Sequence, residues 1–64
     1  MPRKDYILIA DALAEGFASS DHGYNATVVR HVASALATDN PRFDRERFLN
    51  YAEDQFHAIA GVEA

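Results

Sequence analysis

Three histidines, two adjacent serines and a run of arginines are the side chains of this 64-residue chain with most chemistry to offer. His22, His31 and His57 fall in separate segments, and no two stand at the i, i+4 spacing that aims two ligands at one metal. Glu53 and His57 do have that spacing, but a zinc site needs three or four ligands and the chain has no cysteine to complete one. Such a Glu–His pair is ordinarily a solvated helix face. Ser19 and Ser20 have no base near them in sequence, and there is no glycine-rich loop to cradle a phosphate. A chain this short also has little room for a water-excluding pocket of about 300 Å³ or more. The expectation is a protein that is not an enzyme, with no catalytic residue, no metal and no cofactor.

Arg42, Arg45 and Arg47 are a different matter, since they hold half of the six basic residues within six positions. They fall at the start of a helical segment, where the helix dipole makes a cation unfavourable by about 0.3–1 kcal/mol. The cluster therefore needs an offset. Helix carbonyls and the acids Asp39, Asp44 and Glu46 could provide it within the chain, and an acidic partner surface or a phosphate could provide it from outside. A turn followed by a basic helix start also suggests a helix-turn-helix nucleic-acid binder. Against that, the third segment continues through Asn50, Glu53 and Asp54, and ten acids against six bases leave the chain at −4. Nucleic-acid binding through Arg42, Arg45 and Arg47 is the second reading.

The elements that position these residues follow from periodicity. Ser19–Gly23 reads as a loop, and Asp39-Asn40-Pro41 as a break, because the residue before proline is pushed out of the helical region. Three helices are predicted, over about 3–18, 26–38 and 45–60. In the first, Tyr6, Ile9, Ala10, Leu13 and Phe17 share one face, Pro2 suits a first-turn position and Gly16 weakens the interior. Gly16 implies either an early end to the helix or a neighbour packed closely over it. In the second, Asn25 is the N-cap, and Val29, Val32, Ala33 and Leu36 form the stripe. In the third, Asp44 is the N-cap, Phe43 and Phe48 have hydrophobic-staple spacing, and Gly61 stops the helix. The predicted fold is a small all-α three-helix bundle in a single domain, 1–64. Its expected core is Tyr6, Ile9, Leu13, Phe17, Val29, Val32, Leu36, Phe43, Phe48, Ala52, Phe56 and Ile59.

Two residues overfill this pattern. Ile7 and Leu8 lie off the first helix's stripe and make it apolar nearly all round, which implies burial nearly all round. A chain with no disulfide and a core worth only about 3–5 kcal/mol gains most readily from self-association or a partner. Ile7 and Leu8 are therefore candidate contact residues for a homo-oligomer or another protein, although a broad core stripe would also account for them. No apolar run approaches the roughly 20 residues of a membrane span, so no membrane partner is expected. The opening MPRKDYILIADALA superficially resembles a signal peptide, but Asp5 and Asp11 interrupt its apolar region, and a cytoplasmic chain is expected.

Two stretches resemble a family. Lys4-Asp5-Tyr6 with Ile9-Ala10, and Asn40-Pro41-Arg42-Phe43-Asp44 with Arg47-Phe48, are similar to very small proteins of bacteriophages and prophages, especially those of actinobacterial hosts. Those proteins share a K-x-Y-x-x-I-A start and an N-P-R-F-D-x-x-R-F motif, and the likeness spans most of the chain apart from the first loop. Ile7 and Leu8 stand where relatives are more polar, and the third helix runs further, through Tyr51–Ala60. The resemblance carries no activity and no functional residue. It implies a phage-encoded accessory protein that acts on a host or phage protein in the bacterial cytoplasm.

Overall fold

The structure, a computed structural model, describes residues 3–61. Three helices follow one another: α1 (Arg3–Ala18), α2 (Ala26–Asp39) and α3 (Arg45–Ala60). The all-α bundle expected from the periodicity is the observed fold, with α2 one residue longer than its stripe required. The suggestion that Pro2 begins the first helix lies outside the described residues.

Local chemistry sets the helix ends. Asn25 caps α2, its Oδ1 accepting the Val28 N–H at 3.1 Å, and Asp44 caps α3, its Oδ1 accepting the Arg47 N–H at 3.1 Å. Each satisfies a backbone donor that the first helical turn leaves without a partner. Gly61 closes α3 in the left-handed conformation (φ 72°), where a side chain would be strained, and its N–H donates to the His57 carbonyl. Between α2 and α3, Asn40 organises the turn alone. Its N–H donates to the Leu36 carbonyl, its Oδ1 accepts the Arg42 N–H, and its carbonyl accepts the Phe43 N–H. The chain thus leaves α2 and enters α3 through a turn built around one side chain and a proline.

α3 is the central helix, packed along α1 and over a shorter length against α2. Aromatic contacts give the directions. Tyr6 meets Phe43 at 4.5 Å between ring centres, and at the opposite end Phe17, Tyr24 and Phe56 form a chain with spacings of 5.7 and 5.4 Å. α1 and α3 therefore run the same way, with α2 returning between the two ends. Phe43 and Phe48 form the expected staple, 5.4 Å apart.

The core differs from the expected one in its centre. Ala10, Ala14, Val29, Ala33, Phe48, Ala52 and Phe56 are buried, so alanines occupy much of the axis and let the helices approach closely. Tyr6, Ile9, Leu13, Phe17, Val32, Leu36 and Phe43 pack around that axis half-buried. Ile59 is a correction: expected in the core, it is 49% exposed. It lies one turn past Phe56, beyond the aromatic cluster that closes this end, where periodicity continues but no neighbouring helix does. Ile7 and Leu8 are not covered within the chain either, at 38% and 67% exposed.

Candidate functional site

The α1 start, the Asn40 turn and the first half of α3 enclose an open groove of about 630 Å³. This exceeds the space expected of so short a chain, because the groove lies between elements and opens to solvent. Tyr6, Ile7, Phe43 and Phe48 give it apolar walls, and Arg3, Arg42 and Arg47 edge it with positive charge. Tyr6 is fixed there by its ring contact with Phe43 and by the Asn40 Nδ2, which donates to its hydroxyl at 2.9 Å. On the far side, the Tyr51 hydroxyl donates to Asp11 Oδ1 at 2.8 Å and ties α3 to α1. That hydrogen bond, with burial and the Asp11 charge adding to it, raises the Tyr51 pKa above its ordinary 10.0.

The predicted contact residues divide among three places. Ile7, Arg42 and Arg47 meet at this groove, joined by Arg3. Arg45 turns to the other side of α3, where its Nη1 reaches Ser34 Oγ of α2 at 3.5 Å. Leu8 faces solvent on α1 and does not line the groove. The two acids on the groove wall are Asp44, whose Oδ1 is occupied by the α3 cap, and Asp54.

Groups with catalytic or ligating potential are scattered. His22 and His31 are exposed, while His57 is half-buried, with its Nδ1 shielded and lacking a hydrogen-bond partner. Ser19 Oγ donates to the Glu15 carbonyl and Ser20 Oγ accepts the His22 N–H, so both hydroxyls serve the loop's backbone. No three His, Asp or Glu side chains gather as a metal-ligand set among the described residues. No helix among them is long and apolar enough to cross a membrane.

Periodicity overlooked Tyr51 on the groove wall and Tyr24 at the opposite end of the bundle. Tyr24 precedes the Asn25 cap as Phe43 precedes Asp44, so the staple position that marked Phe43 marks Tyr24 as well. Burial first, and then the nearby Glu53 charge, raise the Tyr24 pKa, with Arg30 opposing. Nothing in sequence pairs Tyr51 with Asp11, 40 positions away, because only the α1–α3 packing brings them together. The chain matches no protein-family profile, no curated protein and no solved structure.

Proposed function

We propose that this protein is a non-enzymatic interaction module whose groove takes an acidic, apolar-bearing segment of another protein. The observation that carries the reading is the juxtaposition at the groove. Three arginines edge aromatic and aliphatic walls, in a chain whose net charge is −4. Solvated arginines at a helix start oppose the dipole, and a bound carboxylate would offset that while accepting charge-assisted hydrogen bonds. The setting, a phage-encoded accessory protein acting on a host or phage protein in the bacterial cytoplasm, rests on the resemblance of residues 4–10 and 40–48 to small phage proteins. Nucleic-acid binding ranks second, because Glu46, Glu53 and Asp54 are exposed along α3 and would repel phosphates.

The test is capture from bacterial lysate on the immobilised protein, comparing wild type with Arg42→Glu/Arg47→Glu after nuclease treatment. A protein retained by wild type and lost by the double variant supports the groove. Capture that disappears with nuclease supports the nucleic-acid reading, and equal capture by both forms removes the groove from consideration.

A further inference from the structure

The groove has a direction. Arg3, Ile7 and Ala10 on α1 and Arg47, Tyr51 and Asp54 on α3 line it, each row set at i, i+4, i+7. At 1.5 Å per residue each row is about 10 Å long, or two turns of helix. No residue of α2 lines the groove. It is a cleft between two helices that run the same way, on a side of the bundle that α2 leaves open.

Charge changes sign along the cleft. Arg3, Arg42 and Arg47 stand at the end where α1 and α3 begin, against one carboxylate, Asp44, whose Oδ1 caps α3. At the other end stand Asp54 and the Asp11 carboxylate that accepts the Tyr51 hydroxyl. The helix dipoles add to this gradient, because α1 and α3 both turn their positive N-termini towards the arginine end.

The walls offer an occupant no backbone partners. The N–H and C=O groups along α1 and α3 are committed to their own helices, so an extended segment would leave much of its backbone unpaired against Tyr6, Ile7, Phe43 and Phe48. A helix pairs its own backbone and brings only side chains to the walls, with anchors at i, i+3 or i+4 and i+7. Its C-terminal end carries a negative dipole and four carbonyls without intrahelical partners, and arginine guanidiniums suit both.

We infer that the occupant of the groove is an amphipathic helix of about two to three turns, antiparallel to α1 and α3, with acidic side chains in its C-terminal turn against Arg3, Arg42 and Arg47. This rests on the reading of the groove as a site for an acidic, apolar-bearing segment, and gives that segment a conformation and a direction. The docked helix would complete an up-down-up-down arrangement with α1, α2 and α3.

Two fluorescently labelled synthetic peptides of one composition test it. Both are alanine- and lysine-based helices of about four turns with leucines at the anchor spacing. One carries its glutamates in the last turn and the other in the first. Glutamates in the first turn favour the free helix and glutamates in the last oppose it, so intrinsic helicity works against the expected result. Fluorescence anisotropy should give the last-turn peptide about tenfold or more the affinity of the first-turn peptide for wild type. Arg42→Glu/Arg47→Glu, with its fold checked by circular dichroism, should lose that preference. A nitroxide on the C-terminal end of the bound last-turn peptide should broaden the amide signals of Phe43–Arg47, and one on its N-terminal end those around Asp54.

Equal affinities, a preference for the first-turn peptide, a preference that persists in the double variant or the reversed broadening pattern overturns the inference. So does undiminished binding of a last-turn peptide interrupted by a central proline, which would leave the groove a site for an acidic segment in extended form. Binding of neither peptide up to about 1 mM also overturns it, and the lysate capture then decides the reading of the groove independently.

Discussion

α1 and α3 have the same length and run side by side, yet different forces hold them. α3 buries Phe48, Ala52 and Phe56, is capped at its start by Asp44 and is closed at its end by Gly61. α1 fully buries only Ala10 and Ala14, and its last turn simply tightens, with the Ser20 N–H on the Phe17 carbonyl. Its larger side chains lie half-buried around the axis or, at Ile7 and Leu8, in solvent. α3 is thus specified by its own sequence and supplies the platform, whereas α1 is held by what it docks against. The helix that contributes less to the centre of the fold is also the one that sets Ile7 on the groove and leaves Leu8 in solvent.

Truncating an anchor on each helix gives the largest contrast. Phe48→Ala should cost about 3–5 kcal/mol, as large as the whole stability expected of a single core this size, so the variant should be largely unfolded by circular dichroism. Leu8→Ala should move stability by no more than about 0.5 kcal/mol. Comparable losses at the two positions would abolish the distinction between platform and docked helix. A smaller effect of opposite sign is expected at Gly16. Its backbone is helical and its Cβ position is open, so Gly16→Ala should stabilise the fold by about 0.5–1 kcal/mol, raising Tm by roughly 2–8 °C. A loss at Gly16 would mean that a neighbour packs over it after all.

The same division explains what could be read from the sequence. α3 announced itself through Phe43, Asp44, Phe48 and Gly61, because caps and staples are interactions between residues a few positions apart. The Asn25 cap and the turn at Asn40 were legible for the same reason. Ile59 was misplaced because periodicity records which way a side chain faces, not whether another helix extends far enough to cover it. The alanine axis was hidden by a related fault: large residues seem the natural centre, but close helix approach puts Ala10, Ala14 and Ala33 there instead. At the site, the arginine cluster was visible in sequence, whereas its division between two sides of α3 was not. Arg42 lies in the turn and Arg45 on the helix, so their directions depend on how the Asn40 turn is built. Arg3 joined them only through the packing of α1 along α3.

The hydroxyl that fastens α1 to its platform supplies the finest test of the comparison. Tyr51 donates to Asp11 across the two helices, and this bond is chiefly what raises its pKa above 10.0. A tyrosine whose pKa is higher folded than unfolded adds stability that is fully present below about pH 10 and disappears as pH rises through the folded value. Burial shifts Tyr24 in the same direction at the Phe17–Phe56 end, so the two groups titrate in one alkaline window. Tyr51→Phe should cost only about 0.5 kcal/mol near neutral pH, since the bond is open to solvent in part. It should also flatten the decline in denaturation midpoint above pH 10, and Tyr24→Phe should flatten what remains. If Tyr51→Phe leaves the alkaline decline unchanged and Tyr24→Phe removes it, the decline belongs to the aromatic end of the bundle. α1 would then be held at its Phe17 end more than along its middle, and Asp11 would be a surface carboxylate with no fastening role.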